Sequence, residues 1–198
     1  MSPRHNGTDA VRARLLDAAL TVHMRPDGLT MTAVIKESGA SSGSLYHHFG
    51  SFDGLAAALY ARCMARLLDA LIDAVEPLRD ARAGIEAIVR AYLRFTRDHR
   101  AEARFIHASA YATFLPAHAA TIAAAKQPRI ARLVGWLQPH LDRGEVADLP
   151  APLIEMLLIG PVAETARRWL AGDPTIDLAI AETLLPPRIW RSLSARAG

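Results

Sequence analysis

Cysteine occurs once in the 198 residues, at Cys63. A lone thiol cannot close an internal disulfide or build a zinc site on paired thiolates, and it suits a reducing compartment. Aromatic residues are scarce as well, at 6% of the chain, whereas Ala, Leu and Arg are abundant. That balance favours helices over sheets. Long apolar runs are missing too. The stretch 2–22 is interrupted by Arg4, Asp9, Arg12, Arg14 and Asp17, so it lacks the apolar region of a secretion signal. The most apolar later stretch, 153–162, contains Glu155, Gly160 and Pro161 and falls short of the ~20 residues that a bilayer requires. A soluble, cytoplasmic protein with no membrane partner is expected.

Catalytic signatures are equally sparse. No Gly-rich phosphate loop, HExxH pattern or Ser-His-Asp grouping occurs at a meaningful spacing. His99, His107, His118 and His140 are scattered and form no local metal-ligand motif. The expectation is a protein that is not an enzyme and has neither metal nor cofactor. Charge of one sign is lacking as well: the net value is only +3. Within residues 1–60, Arg4, Arg12, Arg14, Arg25 and Lys36 are offset by Asp9, Asp17, Asp27, Glu37 and Asp53. A nucleic-acid partner is compatible with this charge, but the case for one rests on arrangement.

What is present is helical periodicity. Val11, Leu15, Ala18, Ala19 and Val22 recur at helical spacing behind Thr8 and Asp9, which predicts a helix over 9–23 that Arg25-Pro26-Asp27-Gly28 ends. Thr30 can cap a short second helix to Ser38, with Val34 and Ile35 inward and Gly39 at its end. Ser41 or Ser42 can cap a third, over 43–48, and a long fourth helix starts near Phe52. In the fourth, Leu55, Leu59, Cys63, Leu67, Leu71 and Val75 form one apolar stripe that ends at Glu76-Pro77. Cys63 on that stripe reads as a core thiol. Further helices are predicted over 79–99, 101–113, 118–143, 150–171 and 175–185, with Pro128 and Pro139 as points of kinking or splitting and Pro186-Pro187 as a break. The expected fold is all-α, with a helix-turn-helix domain over 9–55 and a helical regulatory and dimerisation domain over 56–198.

The segment Leu29 to Phe49 is the informative one. In a helix-turn-helix the second helix enters the major groove, so its N-terminal face must be small or polar and its inner face apolar. Ser42, Gly43 and Ser44 meet the first need, and Leu45 and Phe49 supply the inner anchor. Tyr46, His47 and His48 are left towards the DNA. The two histidines also read as surface residues or as half of a metal site, though no Cys, Asp or Glu lies at a suitable spacing beside them.

This segment resembles the TetR/AcrR family of bacterial regulators through Gly39, Ser41, Gly43, Ser44, Leu45, Tyr46, His48 and Phe49. The likeness extends upstream over Arg12 to Ala19 and downstream to Leu55. Three positions depart from the pattern. Ala40 replaces a branched apolar residue, Phe52 stands where a phosphate-binding lysine is usual, and Ser42 occupies a position that is frequently basic. The resemblance implies a homodimeric regulator that binds double-stranded operator DNA through Thr30, Thr32, Ser41, Ser42, Gly43, Ser44, Tyr46, His47 and His48. Tyr46 and His48 are expected on phosphates, and Thr32, Ser42, Ser44 and His47 near base edges.

In the body, Phe95, His107, Tyr111, Phe114, Trp136 and Met156 fall on candidate inner faces. They read either as ordinary core or as the wall of a site for a small, largely apolar effector. The arginines between Arg79 and Arg104 read as a solvated face or as an anion site. Leu153, Leu157, Gly160, Ala163, Leu178 and Leu185 are candidate contacts of a dimer formed by the last two long helices, because two half-sites add specificity that one small footprint lacks. Two other functions remain open at this point: an enzyme, or a helical protein that docks another protein through its N-terminal unit.

Overall fold

A computed structural model of the chain describes residues 4–109 and 112–195, with side chains from residue 9 onward. Ten helices follow one another among the described residues: α1 (Arg4–His23), α2 (Met31–Ser38), α3 (Ser42–Phe49), α4 (Phe52–Val75), α5 (Ala81–Asp98), α6 (Arg100–Ala108), α7 (Phe114–Ala117), α8 (Ala119–Asp142), α9 (Ala151–Leu170) and α10 (Leu178–Leu193). The fold is all-α. Extended pairing among the described residues is limited to an isolated bridge between Val146 and Ser194.

By their contacts the residues form two compact units: 1–64 with 105–125, and 65–104 with 126–198. Helix α4 therefore contributes its first half to one and its second half to the other. In the N-terminal unit, α1 packs on α2 and α3. Leu15, Leu16, Ala19 and Val22 of α1, Val34 of α2, Leu45 of α3 and Leu55 and Leu59 of α4 are buried together as its core. All six residues of the α4 stripe, Cys63 included, are buried. In the second unit, α10 packs on α5 and α9, and α5 also packs on α9.

Two expectations about proline need correcting. Helix α8 runs unbroken through Pro128 and Pro139, and α10 continues through Pro186-Pro187 to Leu193. A proline inside a helix removes a donor and crowds the carbonyl four residues back. In α10 the apolar spacing continues past the prolines: Pro186, Ile189 and Leu193 are buried. The Arg188 guanidinium donates to the Leu184 carbonyl at 3.0 Å, and the end of the helix is tied by the Ala147 N–H donating to the Leu193 carbonyl at 2.8 Å. Burial of these side chains and the tie at the end of α10 offset the cost of its two prolines. Helix α6 is shorter than predicted and ends at Ala108.

Candidate nucleic-acid interface

Caps define the two short helices. Thr30 sits in extended backbone and its Oγ1 accepts from the Ala33 N–H at 3.3 Å, which begins α2. Gly39, at φ 63°, ends it in the left-handed conformation that glycine takes without a Cβ penalty. Only Ala40 and Ser41 separate that glycine from α3. Ser41 Oγ accepts from the Ser44 N–H at 3.1 Å and lies 3.0 Å from Ser44 Oγ. Each helix start is thus satisfied by its own hydroxyl, and the turn between them is short and determined.

The α3 sequence divides cleanly by face. Leu45 is fully buried, whereas Ser42, Gly43, Tyr46 and His47 are exposed and Ser44 and His48 are half-buried. Tyr46, at 51% exposure, is a large aromatic left in solvent, and its hydroxyl donates to Met31 Sδ at 3.7 Å. The exposed face of α3 thus presents hydroxyl and imidazole groups and no carboxylate. Thr30 and Thr32 are exposed on the neighbouring helix. Helix α3 carries no acidic residue, and its last turn holds His47 and His48, whose rings meet edge to face at 5.2 Å.

Phe49, expected as an inner anchor, is only half-buried. Its ring lies under the Arg12 guanidinium of α1, with Cζ 5.5 Å from the centroid. Spacing along α3 could not reveal this contact, because its partner is 37 residues away. Two other cations of the unit are already matched: Arg25 with Glu37, and Arg62 with Asp17 at 2.7 Å.

The residues proposed for an effector do not gather at one place. Phe95 is buried and borders a trough of about 510 Å³ between α4 and α5, floored by Ala70, Ala74, Ala87 and Ala91. Arg90, Arg94, Asp98 and His99 stand at its edge. Arg90 is paired with Glu86 at 2.7 Å and Arg94 with Glu182 at 3.2 Å, and each keeps further guanidinium donors beyond that bond. Trp136 packs elsewhere, against Gly84 and the His140 ring, and its Nε1 donates to the Leu78 carbonyl at 2.9 Å. His107 and Phe114 are half-buried in the N-terminal unit, where Phe114 meets Tyr60 edge to face. Tyr111 lies outside the described residues. Met156 corrects its assignment to an inner face: it is 65% exposed on α9, because no described residue covers that face of the helix.

The candidate dimer contacts divide similarly. Leu153 and Gly160 are exposed, and Leu157, Ala163 and Leu185 are half-buried. Leu178 is instead buried, because α10 turns it towards the core that it shares with α5 and α9. Ile180 and Leu184, one helical turn apart, take the exposed place on α10. Arg82, Arg90, Arg94 and Arg97 are each paired with a carboxylate, and Arg100 lies 4.8 Å over the Trp169 ring. No group of three or more metal-ligating side chains occurs among the described residues, and no described helix is long and apolar enough to cross a membrane.

Residues 15–59 match the family described as bacterial regulatory proteins, tetR family. No curated protein matches the chain by sequence. Solved structures resemble it throughout. A TetR-family transcription regulator from Marinobacter aquaeolei VT8 shares 19% identity, with 97% of this chain and 100% of that one covered and a TM-score of 0.78. A TetR-like transcriptional regulator from Rhodococcus sp. RHA1 shares 24%, with 92% and 94% covered and a TM-score of 0.63. FadR from Bacillus subtilis, solved with stearoyl-CoA, shares 16%, with 89% and 96% covered and a TM-score of 0.74. The capped helix-turn-helix thus lies within the segment that matches the tetR-family model, and the chain as a whole has the all-α fold of solved regulators of that family.

Proposed function

We infer that the protein acts in the cytoplasm as a homodimeric repressor of a near-palindromic operator, and that a small, largely apolar ligand releases it. The observation that carries the DNA reading is the exposed face of α3, with Tyr46 and His47 in solvent above a fully buried Leu45. Two such faces in a dimer would read half-sites one DNA turn apart, ~34–36 Å. A dimer is supported by Leu153 and Met156 of α9 and Ile180 and Leu184 of α10, large apolar side chains exposed on two helices that pack together. An effector is supported by the trough on α4 and α5, whose alanines leave room for an apolar body while Arg90 and Arg94 suit an anionic end. A regulator of the same fold holds stearoyl-CoA.

In this reading the bound ligand changes the separation of the two reading helices of the dimer and spoils simultaneous docking. The ligand must favour the state that cannot dock, and a tenfold loss of operator affinity corresponds to ~1.4 kcal/mol of coupling. Selection of genome-derived DNA fragments with purified protein tests the first half of this reading. Enrichment of a near-palindrome with a salt-dependent gel shift is expected, and the lack of both would overturn it. For the second half, the affinity of a medium-chain fatty acid is measured with and without saturating operator. Reciprocity requires operator to weaken its binding by the factor by which the acid weakens operator binding. Equal affinities for the acid would sink release by this ligand class.

A further inference from the structure

We propose that Arg12 of α1 is a DNA-phosphate contact, held ready by the ring that ends the recognition helix. The proposal rests on reading the α2–α3 face as the DNA interface.

That interface is short of cations. Helix α3 offers only His47 and His48, and α2 only Lys36. Duplex affinity nevertheless depends on neutralised phosphates. Arg25 and Arg62 are each matched by a carboxylate within the N-terminal unit, which cancels most of the field they could offer a phosphate. Arg12 differs from both. It is exposed, and among the described residues no carboxylate lies within ion-pair distance of it.

Its partner is the face of the Phe49 ring, 5.5 Å away. An aromatic face attracts the cation without using its N–H donors, so the edge of the guanidinium stays open for a phosphate. The ring also narrows the rotamers of a long side chain, which lowers the entropy lost on contact. Position points the same way. The Phe49 ring is 6.1 Å from the His48 ring, which is 5.2 Å from that of His47, so a row of three rings leads from the recognition helix to the Arg12 guanidinium on α1. A guanidinium at the end of this row extends the backbone footprint beyond α3.

The bland alternative is that Arg12 only helps α1 adhere to α3. The two roles separate on salt dependence. The probe is a labelled 30-base-pair duplex of arbitrary sequence, with binding followed by anisotropy across a potassium chloride series, and the parent protein provides the reference slope. Loss of one phosphate contact lowers the slope of log K against log salt by about 0.9 per recognition unit. Arg12→Gln should show that reduction, Arg12→Lys should retain the parent slope, and thermal unfolding should be nearly unchanged in both. Arg14→Gln removes the same charge about 200° around α1 and should leave the slope alone. An unchanged slope in Arg12→Gln, or an equal reduction in Arg14→Gln, overturns the placement while leaving DNA binding intact. A parent protein with no salt-dependent binding to this duplex overturns the DNA reading itself, and this contact with it.

Discussion

Four side chains at the start of the helix-turn-helix serve the fold before they serve any partner. Thr30 and Ser41 cap helices, Ser44 is tied to Ser41, and Met31 lies under the Tyr46 hydroxyl. Ser42, Tyr46 and His47 are exposed and cap neither helix. Their variants should therefore separate by kind. Tyr46→Phe removes the hydroxyl proposed to reach a phosphate and should weaken binding to all sequences alike. Ser42→Ala or His47→Ala should shift preference among operator variants by ~1–3 kcal/mol where a base contact is lost. Binding curves against an operator-variant panel decide the matter, and identical curves for all three variants would remove this recognition surface. The caps and the exposed face of α3 were legible in the residues because hydroxyl capping and helical spacing are local. The Arg12–Phe49 contact was not, because it joins two helices whose relative placement no local pattern encodes.

Between elements, the packing of Trp136 on Gly84 carries a sharper expectation. A Cβ added at Gly84 would meet the Trp136 ring, so Gly84→Ala should destabilise by ~1–3 kcal/mol through overpacking. Trp136→Ala should cost ~3 kcal/mol, towards the low end for a large aromatic because the side chain is half-buried, and would leave the Leu78 carbonyl without its donor. Chemical denaturation measures both. A change below ~0.5 kcal/mol in Trp136→Ala would return the residue to the pool of effector contacts, since surface changes usually stay within that range.

The C-terminal end of α8 provides a pH test. Hydrogen bonds from the Arg143 guanidinium and from His140 hold the Glu145 carboxyl at about 2, below its ordinary 4.5. A depressed carboxylate contributes stability that is fully present above its unfolded value and is lost as pH falls towards its folded one. The melting temperature of the parent should exceed that of Glu145→Gln near neutrality, and the gap should close between pH 4.5 and about 2. A gap that persists unchanged at the acid end would assign the effect to packing. The closing turn of α9 is built in the same way: Asp173 is lowered to about 2, first by the Thr175 hydroxyl and backbone and then by Arg168.

On the scale of the whole molecule, the exposed apolar faces of α9 and α10 are the surface proposed for the dimer. Met156 and Ile180 are 65% and 58% exposed, so the double variant Met156→Glu with Ile180→Glu places two carboxylates on those faces without entering the folded core. Sedimentation should show a dimer for the parent and a monomer for the variant at micromolar concentration, with helical content retained. A parent that sediments as a monomer both free and on DNA would contradict the dimer. A variant that remains dimeric would move the interface to another surface.

The residues alone determined the all-α class, the short helices with their caps, the buried stripe of α4 and the helix-turn-helix motif, because each depends on interactions between neighbours three or four positions apart. They also separated polar from apolar faces within α3. What they left open was which apolar face of a helix finds a neighbour. Leu178 turned inward and Ile180 and Leu184 outward, Met156 reached solvent, Trp136 settled against Gly84, and residues 105–125 joined the N-terminal unit. The prolines of α8 and α10 belong with these cases, since tertiary burial outweighed a local signal to stop. Each outcome depends on how separate helices are turned towards one another. Periodicity specifies that a side is apolar, but only packing between distant segments selects what that side meets.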